Sequence, residues 1–157
     1  MKKIPVHFLT EEAFAPFGSV IAVDVAKAEQ NPGVSDWYGN VAVMGEIGSA
    51  AFNLMTVYPR EAVCRRFESH RRTPEAVIPL GGRGIIIPLA PPGEFQADLV
   101  SAFYVPGNKA VVFHPGTWHF APYTFEDSAT FITAYRAGTP EDDIQFAELA
   151  EDAYFEL

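Results

Sequence analysis

At 157 residues and 48% apolar content, the chain is long enough to bury a core and is expected to fold as a single domain over residues 1–157. A formal net charge of −9 excludes nucleic acid or an anionic membrane as partner, because phosphate must be met by concentrated positive charge. No apolar run approaches the roughly 20 residues of a bilayer span, Met1-Lys-Lys leads into Pro5 and His7 rather than a signal-peptide core, and the one cysteine, Cys64, can form no internal disulfide, so a cytoplasmic, reducing setting is expected.

In chain order, the first element is a short helix over Thr10-Glu-Glu-Ala-Phe-Ala-Pro-Phe17. Thr10 supplies the cap, two acids sit in the first turn, and Gly18 is expected to end it. Nine short strands follow at near-regular spacing: Ser19 to Val23, Val41 to Glu46, Ala51 to Tyr58, Val63 to His70, Glu75 to Leu80, Gly84 to Leu89, Leu99 to Tyr104, Ala110 to His114 and Ala129 to Arg136. Turn residues separate them at Gly81-Gly82, Ala90-Pro-Pro-Gly93, Pro106-Gly-Asn108 and Pro115-Gly116. The tail from Thr139 through Asp143 to Phe146 and Leu149 reads as a capped acidic helix or an irregular arm. One helix followed by many short strands predicts an all-β sandwich or barrel.

The most informative spacing is Glu68-x-His70-x4-Glu75-x6-Gly82, followed at a distance by His114-Pro-Gly-Thr-Trp-His119. Strand alternation puts Cys64, Arg66, Glu68 and His70 on one face and Arg65, Phe67 and Ser69 on the other. If that first face lines the barrel interior, its polar groups need mutual pairing, a metal or a ligand, since an unpartnered buried charge is costly. Two carboxylates and two imidazoles brought together can hold a divalent metal or divide the acid and base roles. Around them, Arg60, Arg65, Arg66, Arg71 and Arg72 supply five of the eleven Lys and Arg residues within thirteen positions. That local positive charge in an acidic chain points to a small anionic ligand, gripped by guanidinium.

These residues resemble the two motifs of the cupin superfamily, with Glu68 in place of the first histidine and Val111-Val-Phe-His-Pro-Gly-Thr-Trp-His119 as the second motif. A narrower resemblance runs through nearly the whole chain. Leu9-Thr-Glu-Glu-Ala-Phe14, Phe17-Gly-Ser-Val-Ile21, Glu68-x-His70, Ala76-Val-Ile-Pro-Leu80, Phe113-His114 with Trp118-His119, and Phe131-Ile-Thr-x2-Arg136-Ala-Gly138 are similar to the ureidoglycolate lyase family, also called ureidoglycolate hydrolases. The resemblance implies a cupin-type double-stranded β-helix, a jelly-roll barrel that often dimerises. It further implies cleavage of ureidoglycolate to glyoxylate and urea in purine or allantoin nitrogen salvage. Arg65 stands where relatives usually carry histidine, Glu75 where they carry glutamine, and Tyr135 where they carry aspartate.

Ureidoglycolate is a hemiaminal bearing a carboxylate. Its breakdown needs a base for the hydroxyl proton, an acid for the departing urea nitrogen and a cation for the carboxylate; no organic cofactor is required. Glu68, His70 and His119 are the catalytic candidates, with His119 or Glu68 as base. Glu68, His70, Glu75 and His119 are the ligand candidates for nickel, manganese, iron or zinc. Arg66, Arg136 and Trp118 are the candidates for substrate contact, although an aromatic such as Trp118 or Phe113 serves equally as core. His114, before Pro115, is expected to be structural, Lys109 solvated, Cys64 a small apolar filler and His7 structural or exposed. Two other readings are a cupin isomerase or decarboxylase acting on a sugar acid or keto acid, and a non-catalytic cupin that binds a small anion.

Overall fold

The computed structural model describes residues 1–156, in which the apolar runs form thirteen strands and two single-turn α-helices. They are β1 (Lys2–Phe8), α1 (Glu11–Phe14), β2 (Gly18–Ile21), β3 (Glu29–Asn31), β4 (Ser35–Trp37), β5 (Ala50–Val57), β6 (Val63–Ser69) and β7 (Glu75–Leu80). After them come β8 (Gly82–Ala90), β9 (Ser101–Gly107), β10 (Ala110–Phe113), β11 (Trp118–His119), β12 (Ala129–Arg136), α2 (Thr139–Asp142) and β13 (Gln145–Glu156).

The strands from β5 to β12 pair as one long antiparallel hairpin rolled on itself. β8 pairs with β9, β7 with β10, β6 with β11 and β5 with β12. Rolling adds the cross-pairs β7 with β12 and β8 with β11. The nested pairing is the jelly-roll topology expected of a cupin-type barrel. One sheet runs β2-β10-β7-β12-β5. The other, β1-β13-β6-β11-β8-β9, closes because β1 pairs in parallel with β13 through its first half and with β9 through its second.

Alternation on β8 shows how two apolar clusters share one strand. Ile85 and Ile87 point into the barrel with Phe14, Phe17, Phe103, Val111, Phe113 and Phe131. Ile86 points to the opposite face, where Cys64, Phe67, Trp118, Tyr123, Leu149 and Phe155 form a second buried cluster. The inner cluster is rich in edge-on aromatic contacts, with Phe103 lying 5.2 Å from Phe14 and 5.3 Å from Phe17.

Several expectations change. Thr10 does cap the first helix, accepting from the Ala13 amide at 3.1 Å, but the helix stops after one turn: Ala15 still holds helical dihedrals, while Pro16 has no N–H to donate to the Glu12 carbonyl and so ends the hydrogen-bond ladder. Gly18 does not end that helix. It opens β2 against β10, where a Cβ would lie 2.0 Å from the Val112 carbonyl oxygen, so the requirement is close backbone approach. Residues 41–46 form no strand: Gly45 and Gly48 take positive φ, and Ala42 and Met44 pack across the outer face onto Ala76, Val112 and Ala134. The tail forms only the helical turn α2, and from Gln145 it becomes β13, whose Leu149, Ala153 and Phe155 complete the second cluster. Burial of those three side chains decides the conformation over the local acidic pattern. The strand β1, the hairpin β3–β4 and the two-residue strand β11 also lie outside the predicted set.

Candidate active site and metal centre

The roll brings together segments about fifty positions apart. His119 on β11 lies directly opposite Glu68 on β6, His70 follows the end of β6, and Glu75 opens β7 opposite Phe113 of β10. His119 Nε2 is 3.1 Å from Glu75 Oε2 and 3.6 Å from Glu68 Oε1, and His70 Nε2 is 3.4 Å from Glu75 Oε2. All four predicted ligand side chains therefore meet. Glu68, Glu75 and His119 line a small pocket whose other walls are chiefly apolar, including Met55, Val77, Ile87, Phe113 and Phe131. His70, Glu75 and His119 are buried, while the Glu68 side chain keeps 37% of its surface exposed.

The imidazoles are fixed from behind. His70 Nδ1 donates to the Asp143 carbonyl at 2.8 Å and His119 Nδ1 donates to the Thr117 carbonyl at 3.0 Å. A carbonyl only accepts, so both rings carry their proton on Nδ1 and turn Nε2 toward the carboxylates. The loop that delivers His119 is tied down as well: Ser69 Oγ donates to Gly116 O, the Gly116 amide to His70 O, and Thr117 Oγ1 to Phe17 O.

A neutral Nε2 lone pair facing carboxylate oxygens is repulsive unless a cation lies between them or the ring gains a proton. Glu75 Oε2 and His119 Nε2 are both fully buried and, despite their proximity, neither makes a hydrogen bond. Glu68, His70 and His119 place ligand atoms within 4.8 Å of one another. Convergent imidazole and carboxylate donors with rings locked by carbonyls fit a divalent transition metal, and this set could hold one.

Without a metal, the protons go to the rings. Burial alone would depress the His70 and His119 pKa values, but the facing Glu75 carboxylate, with Glu68 added for His119, outweighs it and holds both above the ordinary 6.5. Burial would likewise raise Glu75, yet the two imidazoles hold its carboxyl well below the usual 4.5. The histidine contribution to stability is complete below the unfolded-state value of 6.5 and lost as pH rises through the elevated folded values. The Glu75 contribution is present above 4.5 and lost as pH falls through the lowered folded value. The metal-free protein is thus expected to be most stable between about pH 4.5 and 6.5. A divalent metal should move that optimum upward, because it needs neutral imidazoles. Thermal melts in chelator and in excess metal check this; a chelator optimum in the alkaline range would contradict it.

The remaining candidates separate. Arg66 shares a face with Glu68, its guanidinium stacked 3.9 Å from the ring centre of Phe146, and the two residues border a recess with Phe120 that adjoins the main pocket. Cys64 does not share that face. The β6–β13 ladder shifts register between Glu148 and Ala153, and Cys64 falls in with Phe67 in the second cluster. Its thiol is pushed up to about 12 by burial and by Asp152, which makes it inert. Arg136 is a correction: on β12 the pocket-facing positions are Phe131 and Thr133, and Arg136, of opposite parity, instead pairs with Asp142 and donates to Ala137 O at 3.1 Å. Trp118 is another, since alternation with His119 sends it into the second cluster, where Nε1 donates to Gly93 O at 2.9 Å. His114 is exposed, with Nε2 against Ala15 O, as a structural role requires.

Sequence reasoning passed over Thr133 and Asp143 and treated Tyr135 only as a departure from the family pattern. Thr133 lines the pocket, and Tyr135 has the same parity, with its ring 5.9 Å from that of His70. Period-two alternation on β12 was the available signal for both. Asp143 carried none, because its place depends on how α2 folds back over β6.

The chain matches the family model described as ureidoglycolate lyase over residues 1–156. A ureidoglycolate lyase of Pseudomonas savastanoi pv. phaseolicola is 31% identical over 94% of this chain and 92% of its own. Another, from Pseudomonas paraeruginosa, is 30% identical over 88% and 86%. Among solved structures, oxalate decarboxylase of Bacillus subtilis aligns with a TM-score of 0.44 at 16% identity, over 64% of this chain and 24% of its own. On the whole-chain match and the near-complete alignment with these curated relatives, the protein belongs to the ureidoglycolate lyase family.

Proposed function

We propose that the protein cleaves ureidoglycolate to glyoxylate and urea, within purine or allantoin nitrogen salvage, in the pocket lined by Glu68, Glu75 and His119, with His70 set against Glu75. The observation that carries this reading is the convergence of two locked imidazoles and two carboxylates on one apolar-walled cavity. Glu68 is the base of choice, being the most exposed of the four and so the one able to move as it exchanges a proton. It takes the substrate hydroxyl proton; the O–H electrons become the carbonyl of glyoxylate, the C–N bond breaks, and the same carboxyl returns the proton to the departing nitrogen. The proton count closes without outside help. Arg66, held over the Phe146 ring beside Glu68, receives the substrate carboxylate. Glu68, His70 and His119, whose ligand atoms lie within 4.8 Å of one another, would hold a divalent metal, with Glu75 beside both imidazoles. When bound, such an ion lowers the proton affinity of a coordinated hydroxyl.

Purified protein given ureidoglycolate should release glyoxylate and urea in equal amounts, faster than the spontaneous reaction, with manganese, nickel, iron or zinc supplied in turn. No acceleration under any of these conditions overturns the reading. Turnover of a keto acid or sugar acid instead would establish the isomerase or decarboxylase alternative, and ligand binding without turnover the small-anion-binding one.

A homodimer in a cytoplasmic setting completes the proposal. The free, buried Cys64 suits a reducing compartment. β5 is an open sheet edge whose Phe52 and Leu54 are 74% and 72% exposed, a surface that pairing with a second copy would cover. Light scattering should give twice the chain mass, and a Phe52→Lys variant a smaller share of dimer; a monomer at all concentrations would contradict it.

A further inference from the structure

Outside the pocket, one buried titratable group has every polar atom committed, and it touches the site. Asp143 follows α2 and is 7% exposed. Its Oδ1 accepts from the Arg71 amide at 3.0 Å and its Oδ2 from the Arg72 amide at 2.8 Å. Its own amide donates to Thr139 O at 3.0 Å. Its carbonyl accepts from His70 Nδ1 at 2.8 Å. With both oxygens on backbone amides, the carboxylate is neither a free base nor a ligand.

We infer that Asp143 is a positioning residue: its side chain clamps the turn immediately after His70 while its carbonyl fixes which nitrogen of that ring carries the proton. The carboxylate and the carbonyl belong to one rigid residue, so the turn and the ring are held in a common frame. A surface turn needs no buried carboxylate to be stable, since water can satisfy exposed amides. What the buried group adds is a fixed distance between α2 and β6, and with it a fixed direction for His70 Nε2. Partners behind a working imidazole act in this way, by setting tautomer and orientation. The neighbouring Asp142 does something different. Its carboxylate pairs with the Arg72 and Arg136 side chains.

This inference rests on the reading that His70 belongs to the working site, but its test needs no substrate. Long-range proton–nitrogen NMR of the metal-free protein, at an alkaline pH where the ring nitrogen shifts themselves report a neutral imidazole, reads the His70 tautomer directly. The unaltered protein should show the Nδ1-protonated form alone. Asp143→Ala should give a mixture of both tautomers, and Asp143→Asn, which retains one acceptor oxygen, a smaller admixture of the second form. Asp142→Asn, which removes the surface ion pairs and spares the clamp, should leave the tautomer as it is. If Asp143→Ala does not fold, Asp143→Asn against Asp142→Asn decides the matter. A single unchanged tautomer in the Asp143 variants, or an equal change in Asp142→Asn, overturns the inference. Loss of ureidoglycolate cleavage in the unaltered protein would leave this result standing and would count against the proposed reaction alone.

Discussion

Glu68→Gln is expected to lower the turnover number by about 10²- to 10⁴-fold, the usual contribution of a positioned acid–base group, while leaving the fold and the binding of glyoxylate in place. The substitution keeps the size and one acceptor oxygen of a half-exposed side chain, so nothing in the core is disturbed. It removes the one group among the four that both borders the pocket and retains contact with solvent. Glutamine can accept a hydrogen bond from the substrate hydroxyl but cannot take its proton. A steady-state comparison of the two proteins under identical metal supply checks this. Retention of most of the turnover would move the base role to His119, which also lines the cavity.

Glu75→Gln is expected to cost about 3 kcal/mol of stability near pH 6, because removing one partner leaves buried charge uncompensated. The Glu75 carboxylate faces both imidazoles, 3.1 and 3.4 Å from their Nε2 atoms, and with it gone burial pushes both histidines toward the neutral form. The loss should shrink as pH rises, since neutral rings need no counter-charge. Urea unfolding of the metal-free proteins across the pH range measures it. A pH-independent loss would mean that Glu75 acts through shape and packing instead. In the presence of metal the same variant should bind the ion more weakly, having exchanged the anionic group beside both imidazoles for an amide.

Much of this arrangement was legible before the fold. Glu68, His70 and Glu75 declare themselves by spacing, and β7 and β12 keep their predicted spans: β7 is a short apolar run between Pro74 and Gly81, and β12 is rich in β-branched and aromatic residues and is followed by Gly138. The features that were illegible share a cause: each depends on a tertiary neighbour. Gly18 reads as a helix stop until Val112 is seen against it, and the acidic tail reads as helix until Leu149 and Phe155 find the second cluster. Arg136 offers the charge a carboxylate wants, and only the parity of β12 shows that it faces Asp142. The irregularity on β6 that separates Cys64 from Arg66 answers a register shift on β13, a strand absent from the predicted set. Periodicity assigns faces within a strand, whereas bulges and pairing partners decide which face is inside.

The most direct test of the central claim is a crystal structure of the Glu68→Gln variant soaked with ureidoglycolate, in which binding survives and turnover does not. The expected result is substrate in the pocket lined by position 68, Glu75 and His119, its hydroxyl within hydrogen-bonding distance of the side chain at position 68 and of the His70–His119 set, and its carboxylate on Arg66. Substrate bound elsewhere, or bound with its carboxylate away from Arg66 and its hydroxyl away from position 68, would contradict the assignment.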